Sequence, residues 1–216
     1  YSIDKILPLL GNVLPEHSLG ANAEINWREY WAGNKLFINL AFFLTNLSKP
    51  IIAQENSTGA VHFSNQDGAI VTAGVDLYIS ATLNQWELYA GYTFTDARRH
   101  YLPGNPFLEL TPKHRAASVI GKNISEKWFA GLEGSYNGSQ YRDGDTPTPG
   151  YLLLAALLRY NLSDHITLVL NAENMLNYRQ SAVEPLYSGT ISNPVFKSLW
   201  APIDGRVINF SMRLKK

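Results

Sequence analysis

The sequence predicts an all-β fold, an antiparallel transmembrane β-barrel, and three observations predict it. Apolar and polar residues alternate with period two through most of the 216 residues. The alternating segments run ten to fourteen residues, where globular strands usually run about five or six and a tilted strand needs ~9–11 to cross the hydrocarbon of a bilayer. The connections alternate between short and long, and short turns on one rim with long loops on the other mark an outer-membrane barrel.

Each element follows from its pattern. "SLGANAEINWREYW" (18–31) puts Leu19, Ala21, Ala23, Ile25 and Trp27 on one face and Gly20, Asn22, Glu24, Asn26 and Arg28 on the other. "KLFINLAFFLTNL" (35–47) sets Leu36, Ile38, Leu40, Phe42 and Leu44 against Phe37, Asn39, Ala41, Phe43 and Thr45. "AIVTAGVDLYISAT" (69–82) sets Val71, Ala73, Val75, Leu77 and Ile79 against Thr72, Gly74, Asp76, Tyr78 and Ser80. "WELYAGYTFTDARRH" (86–100) sets Trp86, Leu88, Ala90, Tyr92 and Phe94 against Glu87, Tyr89, Gly91, Thr93 and Thr95. "HRAASVIGKNI" (114–124) is a strand of weaker pattern, and "WFAGLEGSYNGSQYR" (128–142) sets Trp128, Ala130, Leu132 and Tyr136 against Glu133, Ser135 and Asn137. "YLLLAALLRYNL" (151–162), the stretch "ITLVLNAENMLNYRQ" (166–180), which starts as a strand and ends as a loop, and "GRVINFSMRL" (205–214) complete nine strands.

The short connections are 32–34, 83–85, 125–127 and 163–165; the long ones are 48–68, 101–113, 143–150 and 180–204. Trp27, Trp31, Trp86, Trp128 and Tyr160 lie close to short turns, which predicts an aromatic girdle at one interface. The apolar faces then meet lipid and the polar faces a wet lumen, with every backbone polar group paired to a neighbouring strand. An even strand number is the rule for single-chain bacterial barrels. Nine strands beginning outside and ending inside therefore read as the C-terminal part of a larger barrel, the alternative being eight or ten that close alone. Residues 1–17 are expected to be the remnant of an outer loop, and 18–216 the barrel portion.

Composition excludes several functions. Formal net charge is zero, against the basic excess of nucleic-acid binders. The chain has no cysteine, which excludes a disulfide scaffold, a thiolate zinc site and a thiol nucleophile. The longest apolar run, "LLLAALL" (152–158), is far short of the ~20 residues of a membrane helix. Charged residues make up 17%, below the roughly 25% of soluble domains. The opening "YSIDKILPLLGNVLPEHS" lacks the layout of a secretory leader and reads as a mature or trimmed segment. His62, His100, His114 and His165 show no metal-ligand spacing, and "DGDTPTPG" (143–150) has two acidic residues without the remainder of a calcium loop. No cofactor is expected.

Six stretches carry a resemblance. "GNVLPEHSLGANAEINW" (11–27) resembles the LxPE-x-S start of a barrel strand in TonB-dependent outer-membrane receptors. "GVDLYIS" (74–80) is similar to their Gly-acidic-aliphatic strand, "YTFTDAR" (92–98) to their outward Y-T-aromatic-T-x-A strand, and "LTPKHRAAS" (110–118) to their TP-x-H return. "LNAENMLNYR" (170–179) resembles the N-L-x-N-x-x-Y segment before the last loop, and "DGRVINFSMRL" (204–214) the closing GR strand. They stand in the family's order across nearly the whole chain. The resemblance implies part of a ~22-stranded barrel whose N-terminal plug domain and first strands lie outside this sequence. The ending "RLKK" departs from the family's aromatic last residue.

The resemblance further implies an outer-membrane receptor and not an enzyme. It imports a scarce nutrient, first of all a ferric siderophore, by energy drawn from TonB through the plug. Glycan, cobalamin and haem receptors share the scaffold, while a small barrel enzyme, a porin and a structural barrel are the competing classes. A barrel lipase needs a serine near a rim histidine, and His100 has none placed for it. Expected partners are outer-membrane lipid and lipopolysaccharide, TonB and the nutrient, with no nucleic acid. Candidate ligand residues lie at strand ends and in long loops: Arg99, His100, Tyr101, Phe107, Tyr141, Arg142, Tyr187, Phe196 and Trp200. Aromatic rings with arginine suit a flat anionic chelate. Glu24, Asp76, Glu87, Glu133 and Glu173 are expected to face the lumen and pair with arginines there.

Overall fold

The structure, a computed structural model, describes residues 13–55, 60–104, 106–142 and 146–215. Of the expected outer-loop remnant 1–17, residues 1–12 lie outside the described residues, as do the acidic pair at 143 and 145. In chain order the strands are β1 (His17–Trp31), β2 (Asn34–Ser48), β3 (Ile51–Glu55), β4 (Val61–Asn65), β5 (Ala69–Leu83), β6 (Trp86–Arg99), β7 (His114–Asn123), β8 (Trp128–Asn137), β9 (Tyr141–Arg142), β10 (Thr146–Pro147), β11 (Tyr151–Asn161), β12 (Ile166–Glu173), β13 (Tyr187–Thr190), β14 (Asn193–Phe196) and β15 (Val207–Leu214). Nine form one antiparallel sheet in the order β1-β2-β5-β6-β7-β8-β11-β12-β15, and the other six make three two-stranded hairpins in the long loops. No described helix is long and apolar enough to cross a membrane.

The register carries the alternation from strand to strand. Directly opposed residues share a face, so Ile38↔Ile79, Leu40↔Leu77 and Phe42↔Val75 continue the apolar side of β2 into β5. At the other end of the sheet Leu168↔Met212, Leu170↔Phe210 and Ala172↔Ile208 do the same. The opposite side carries Ala41↔Asp76 and Asn171↔Asn209. A slip of one residue would exchange the two faces, so the apolar band itself pins the register. Among the described residues β1 and β15 do not pair, and the sheet is an open wall of a barrel.

Turn chemistry builds the short rim. Ala32 and Gly33, at φ 45° and 81°, join β1 to β2 in the left-handed conformation of a tight hairpin turn. Asn34 Oδ1 accepts from the Asn84 amide at 2.8 Å, tying this turn to the next. Further along the same rim Trp128 and Tyr160 pack at 4.4 Å, and the Lys122 ammonium lies 4.6 Å over the Trp86 ring. The aromatic girdle is therefore present on the outward side.

Two features differ from expectation. The segment 128–142 is not one strand: β8 stops at Asn137, and Tyr141–Arg142 pairs instead with Thr146–Pro147. Gly138 donates its amide to His114 O at 2.8 Å, and a Cβ there would stand 2.8 Å from the same oxygen, so the chain crosses the end of β7 and leaves the wall. The expected lumen ion pairs do not form among the described residues. Glu24 accepts from Asn26 at 3.2 Å and Asn39 at 3.3 Å, Asp76 from Thr93 at 2.7 Å and Glu173 from Asn171 at 2.7 Å. Arg28 and Arg159 lie over the rings of their cross-strand partners Phe37 and Phe129, at 5.1 and 4.7 Å. Neutral donors two positions along the same strand or on the neighbouring strand reach the carboxylates, while the opposed rings lie beneath the guanidinium groups.

The wall has little core. The chain exposes 14517 Å², against ~10,000 Å² for a compact chain of its mass. Both faces of the sheet are open, and several of the most buried side chains lie in the outer loops.

Candidate functional site

Three long loops assemble into a cap at the outer rim. They span residues 100–113, 138–150 and 174–206. The first two join where Leu110 donates its amide to Tyr141 O at 2.8 Å and where Phe107 and Tyr141 stack at 4.1 Å with planes 5° apart. The second and third join through Gln140, whose Nε2 donates to Trp200 O at 2.8 Å, and through Glu184.

Glu184 is the hub. Its carboxylate accepts from Arg142 Nη1 at 2.6 Å and Nη2 at 2.7 Å, from Trp200 Nε1 at 2.7 Å, and from Lys197 Nζ at 3.4 Å. Burial alone would push this carboxyl up; the bonds from Trp200, Arg142 and Lys197 outweigh it and hold the group at about 2, below its ordinary 4.5. Beneath it Gln180 is fully buried. Gln180 Nε2 donates to Ser198 O at 3.0 Å and its Oε1 accepts from the Trp200 amide at 2.9 Å. Tyr178 stacks on Tyr151 at 5.2 Å, and burial, then the neighbouring Tyr151, raises the Tyr178 phenol above its ordinary value.

The candidate residues take distinct places. Arg99, on the lumen side, pairs with Glu109 at 3.2 Å and its side chain is only 11% exposed. His100 is exposed, with its amide donated to Ala69 O. Tyr101 packs against Gly68, where a Cβ would stand 3.1 Å from Tyr101 Cβ. Burial raises the Tyr101 phenol, with Arg99 opposing the shift and Glu109 adding to it, so it stays neutral. Phe107 forms a bridge with Arg98 and shares its outward side of the sheet. Tyr141 is spent on that ring, and Arg142 and Trp200 direct their donors at Glu184. Tyr187 and Phe196 oppose each other across β13–β14 with rings 6.4 Å apart, and Phe196 is 76% exposed. The structure thus unites Arg142 and Trp200 in one cluster and Phe107 and Tyr141 in another, and leaves Tyr187 and Phe196 apart at an exposed tip.

One residue escaped the sequence reading. Arg115 stands at the top of β7, opposed to Thr93 and Asn137 on the lumen side. Among the described residues its side chain makes no ion pair or hydrogen bond. It lines a cavity of about 250 Å³ with Leu110, Gln140, Tyr151, Leu199 and Trp200, directly beneath the cap. Its lumen parity, one position after His114, was the available signal.

Comparison with known proteins follows this geometry. The family described as TonB dependent receptor-like, beta-barrel, matches residues 11–175. No curated protein matches. Among solved structures the chain is similar to the ferric-catecholate import receptor Fiu of E. coli K12, at 18% identity over 82% of this chain and 27% of that one, with a TM-score of 0.62. It is similar to the ferripyoverdine receptor of the outer membrane of Pseudomonas aeruginosa, at 19% identity over 91% and 27%, with a TM-score of 0.63. It is also similar to the copper transporter OprC, at 14% identity over 94% and 32%, with a TM-score of 0.69. The chain spans about a quarter to a third of the length of these structures, and at such identities they show the fold.

Proposed function

The chain belongs to the family of TonB-dependent receptor β-barrels, and from that premise we propose that it forms the closing wall and outer-loop cap of an outer-membrane receptor that takes up a ferric siderophore. The wall is a scaffold that holds binding loops in place. The rest of the receptor supplies the plug, through which TonB delivers energy. No step of the uptake is chemical catalysis.

The observation that carries the siderophore reading is Arg115. Its guanidinium, without a hydrogen-bond or ion-pair partner among the described residues, stands at the top of the lumen in a cavity walled by Tyr151 and Trp200. A planar cation beside aromatic rings attracts an anionic, ring-bearing chelate through charge and stacking. The relatives' ferric-catecholate and ferripyoverdine cargoes have this character, which supports the reading. A bare metal ion such as copper would instead call for soft or imidazole ligands. Among the described residues no group of three or more His, Cys, Asp or Glu side chains gathers to hold a metal ion.

Arg115→Ala in the full receptor tests the reading. Binding of a labelled ferric catecholate is expected to weaken at least tenfold, with uptake falling in step and the barrel still inserted. Unchanged binding of both ferric catecholate and ferripyoverdine, or uptake of free copper in their place, would overturn it.

A further inference from the structure

Outward-facing charge sits where the apolar band ends. On β6 the outward series runs Trp86, Leu88, Ala90, Tyr92 and Phe94, and then changes to Asp96 and Arg98. Trp86 to Phe94 is eight residue steps, ~27 Å along the strand and ~20 Å across the membrane at the usual tilt of ~40°. Arg98, four steps further, stands ~30 Å above Trp86, just past an apolar band that is typically ~25 Å tall. This is the level of the headgroups on the long-loop side.

The charges there are gathered. The Arg98 guanidinium pairs with Asp96 at 3.0 Å, and the Lys113 ammonium approaches the same carboxylate at 3.8 Å. Both cations also lie over one ring, Phe107, at 5.8 and 5.1 Å from its centre. The ring itself is held by the Tyr141 stack and by the Arg98–Phe107 bridge. Two cations thus share a single carboxylate and an aromatic seat, and both stay open to the outside, their side chains 46% and 38% exposed. Directly below, His114 Nδ1 lies 2.8 Å from Tyr92 Oη, the polar edge of the lipid-facing surface.

We propose that Arg98 and Lys113, on the Phe107–Tyr141 seat, form a docking site for the phosphorylated headgroup of an outer-leaflet lipid. Two facts select this occupant. The patch is continuous with the apolar band that meets acyl chains, so a lipid seated on that band brings its headgroup here. Its charge surplus is positive at a level where the membrane offers phosphates, which guanidinium and ammonium groups bind well. The proposal rests on the reading of the outward face as membrane-facing.

The test uses the full receptor in mild detergent with lipid A bearing two phosphates as the probe, followed by native mass spectrometry. The wild type is expected to hold it at least tenfold more tightly than the Arg98→Gln/Lys113→Gln double variant. Dephosphorylated lipid A is expected to bind the wild type no better than it binds that variant. Lys122→Gln, on the opposite rim, should leave binding unchanged. Wild-type binding should weaken as ionic strength rises, a readout that does not depend on the variant folding. Equal retention by folded double variant and wild type, equal binding of the dephosphorylated lipid, or indifference to salt would overturn the proposal. A receptor that leaves the outer membrane in plain buffer would instead overturn the membrane reading beneath it.

Discussion

Glu184 gathers Arg142, Trp200 and Lys197 onto one carboxylate in the outer loops. It joins loop 138–150 to loop 174–206 through Arg142, and it does so largely out of water, each side chain 15% exposed. The folded carboxyl titrates at about 2, below its ordinary 4.5. A depressed carboxyl contributes stability that is fully present above the unfolded value and is lost as pH falls through the folded one. The cap is therefore held above pH 4.5 and loosens progressively toward pH 2. Glu184→Gln removes the charge from a largely buried pair and is expected to cost the closed cap roughly 2–3 kcal/mol. Hydrogen exchange over residues 174–206 of the full receptor checks this. With exchange expressed as protection relative to the intrinsic rate at each pH, the variant at pH 7 should be protected only as far as the wild type is near pH 2, and its protection should not fall further in acid. Exchange in the variant that matches the wild type at pH 7 would remove Glu184 from this role. Nothing local in the sequence announces the pair, because Arg142 lies 42 residues away and only the folded loops bring the two together.

At the scale of the element, the strands were legible because a bilayer leaves a plain mark. Leu168, Leu170 and Ala172 alternate with Thr167, Val169 and Asn171, and β12 is where that pattern places it. The hairpins β3–β4, β9–β10 and β13–β14 were not legible, since strands of two to five residues above the membrane carry too few alternations to register. The lumen ion pairs were expected from charge alone. The structure instead gives the carboxylates to nearby Asn and Thr donors and the arginines to opposed rings, a choice made by cross-strand register. Of the candidate site residues at strand ends and in loops, a list of aromatic and cationic types could not distinguish side chains that hold the cap together, such as Arg142 and Trp200, from Arg115, whose side chain has no hydrogen-bond or ion-pair partner among the described residues. Because the outward face of β12 meets acyl chains, Leu170→Arg is expected to cost ~2–4 kcal/mol, while Asn209→Lys on the lumen side costs little. Equilibrium unfolding of the receptor from lipid vesicles measures both. Equal costs would contradict the assignment of faces.

The whole molecule is a wall and a cap. Among the described residues the wall exposes both faces and leaves β1 and β15 as edge strands, and a strand edge left open is an aggregation hazard; the remaining strands of a larger barrel are what such edges fit. The cap, by contrast, has its own small core around Gln180, Trp200, Gln140 and Thr148. That division suits a receptor: a sheet stabilised by its surroundings, topped by loops held in shape before any ligand arrives. A receptor of this kind requires that one face of the sheet meet lipid and the other a wet lumen. The chain's lack of cysteine permits a direct measurement, with single cysteines placed in this segment of the membrane-inserted receptor as its only thiols. At Ile38, Leu170 and Phe210 they should react with a lipid-soluble maleimide and resist a charged, water-soluble one. At Asp76, Glu133 and Asn171 that preference should reverse. Equal labelling of both sets by the water-soluble reagent would contradict the account.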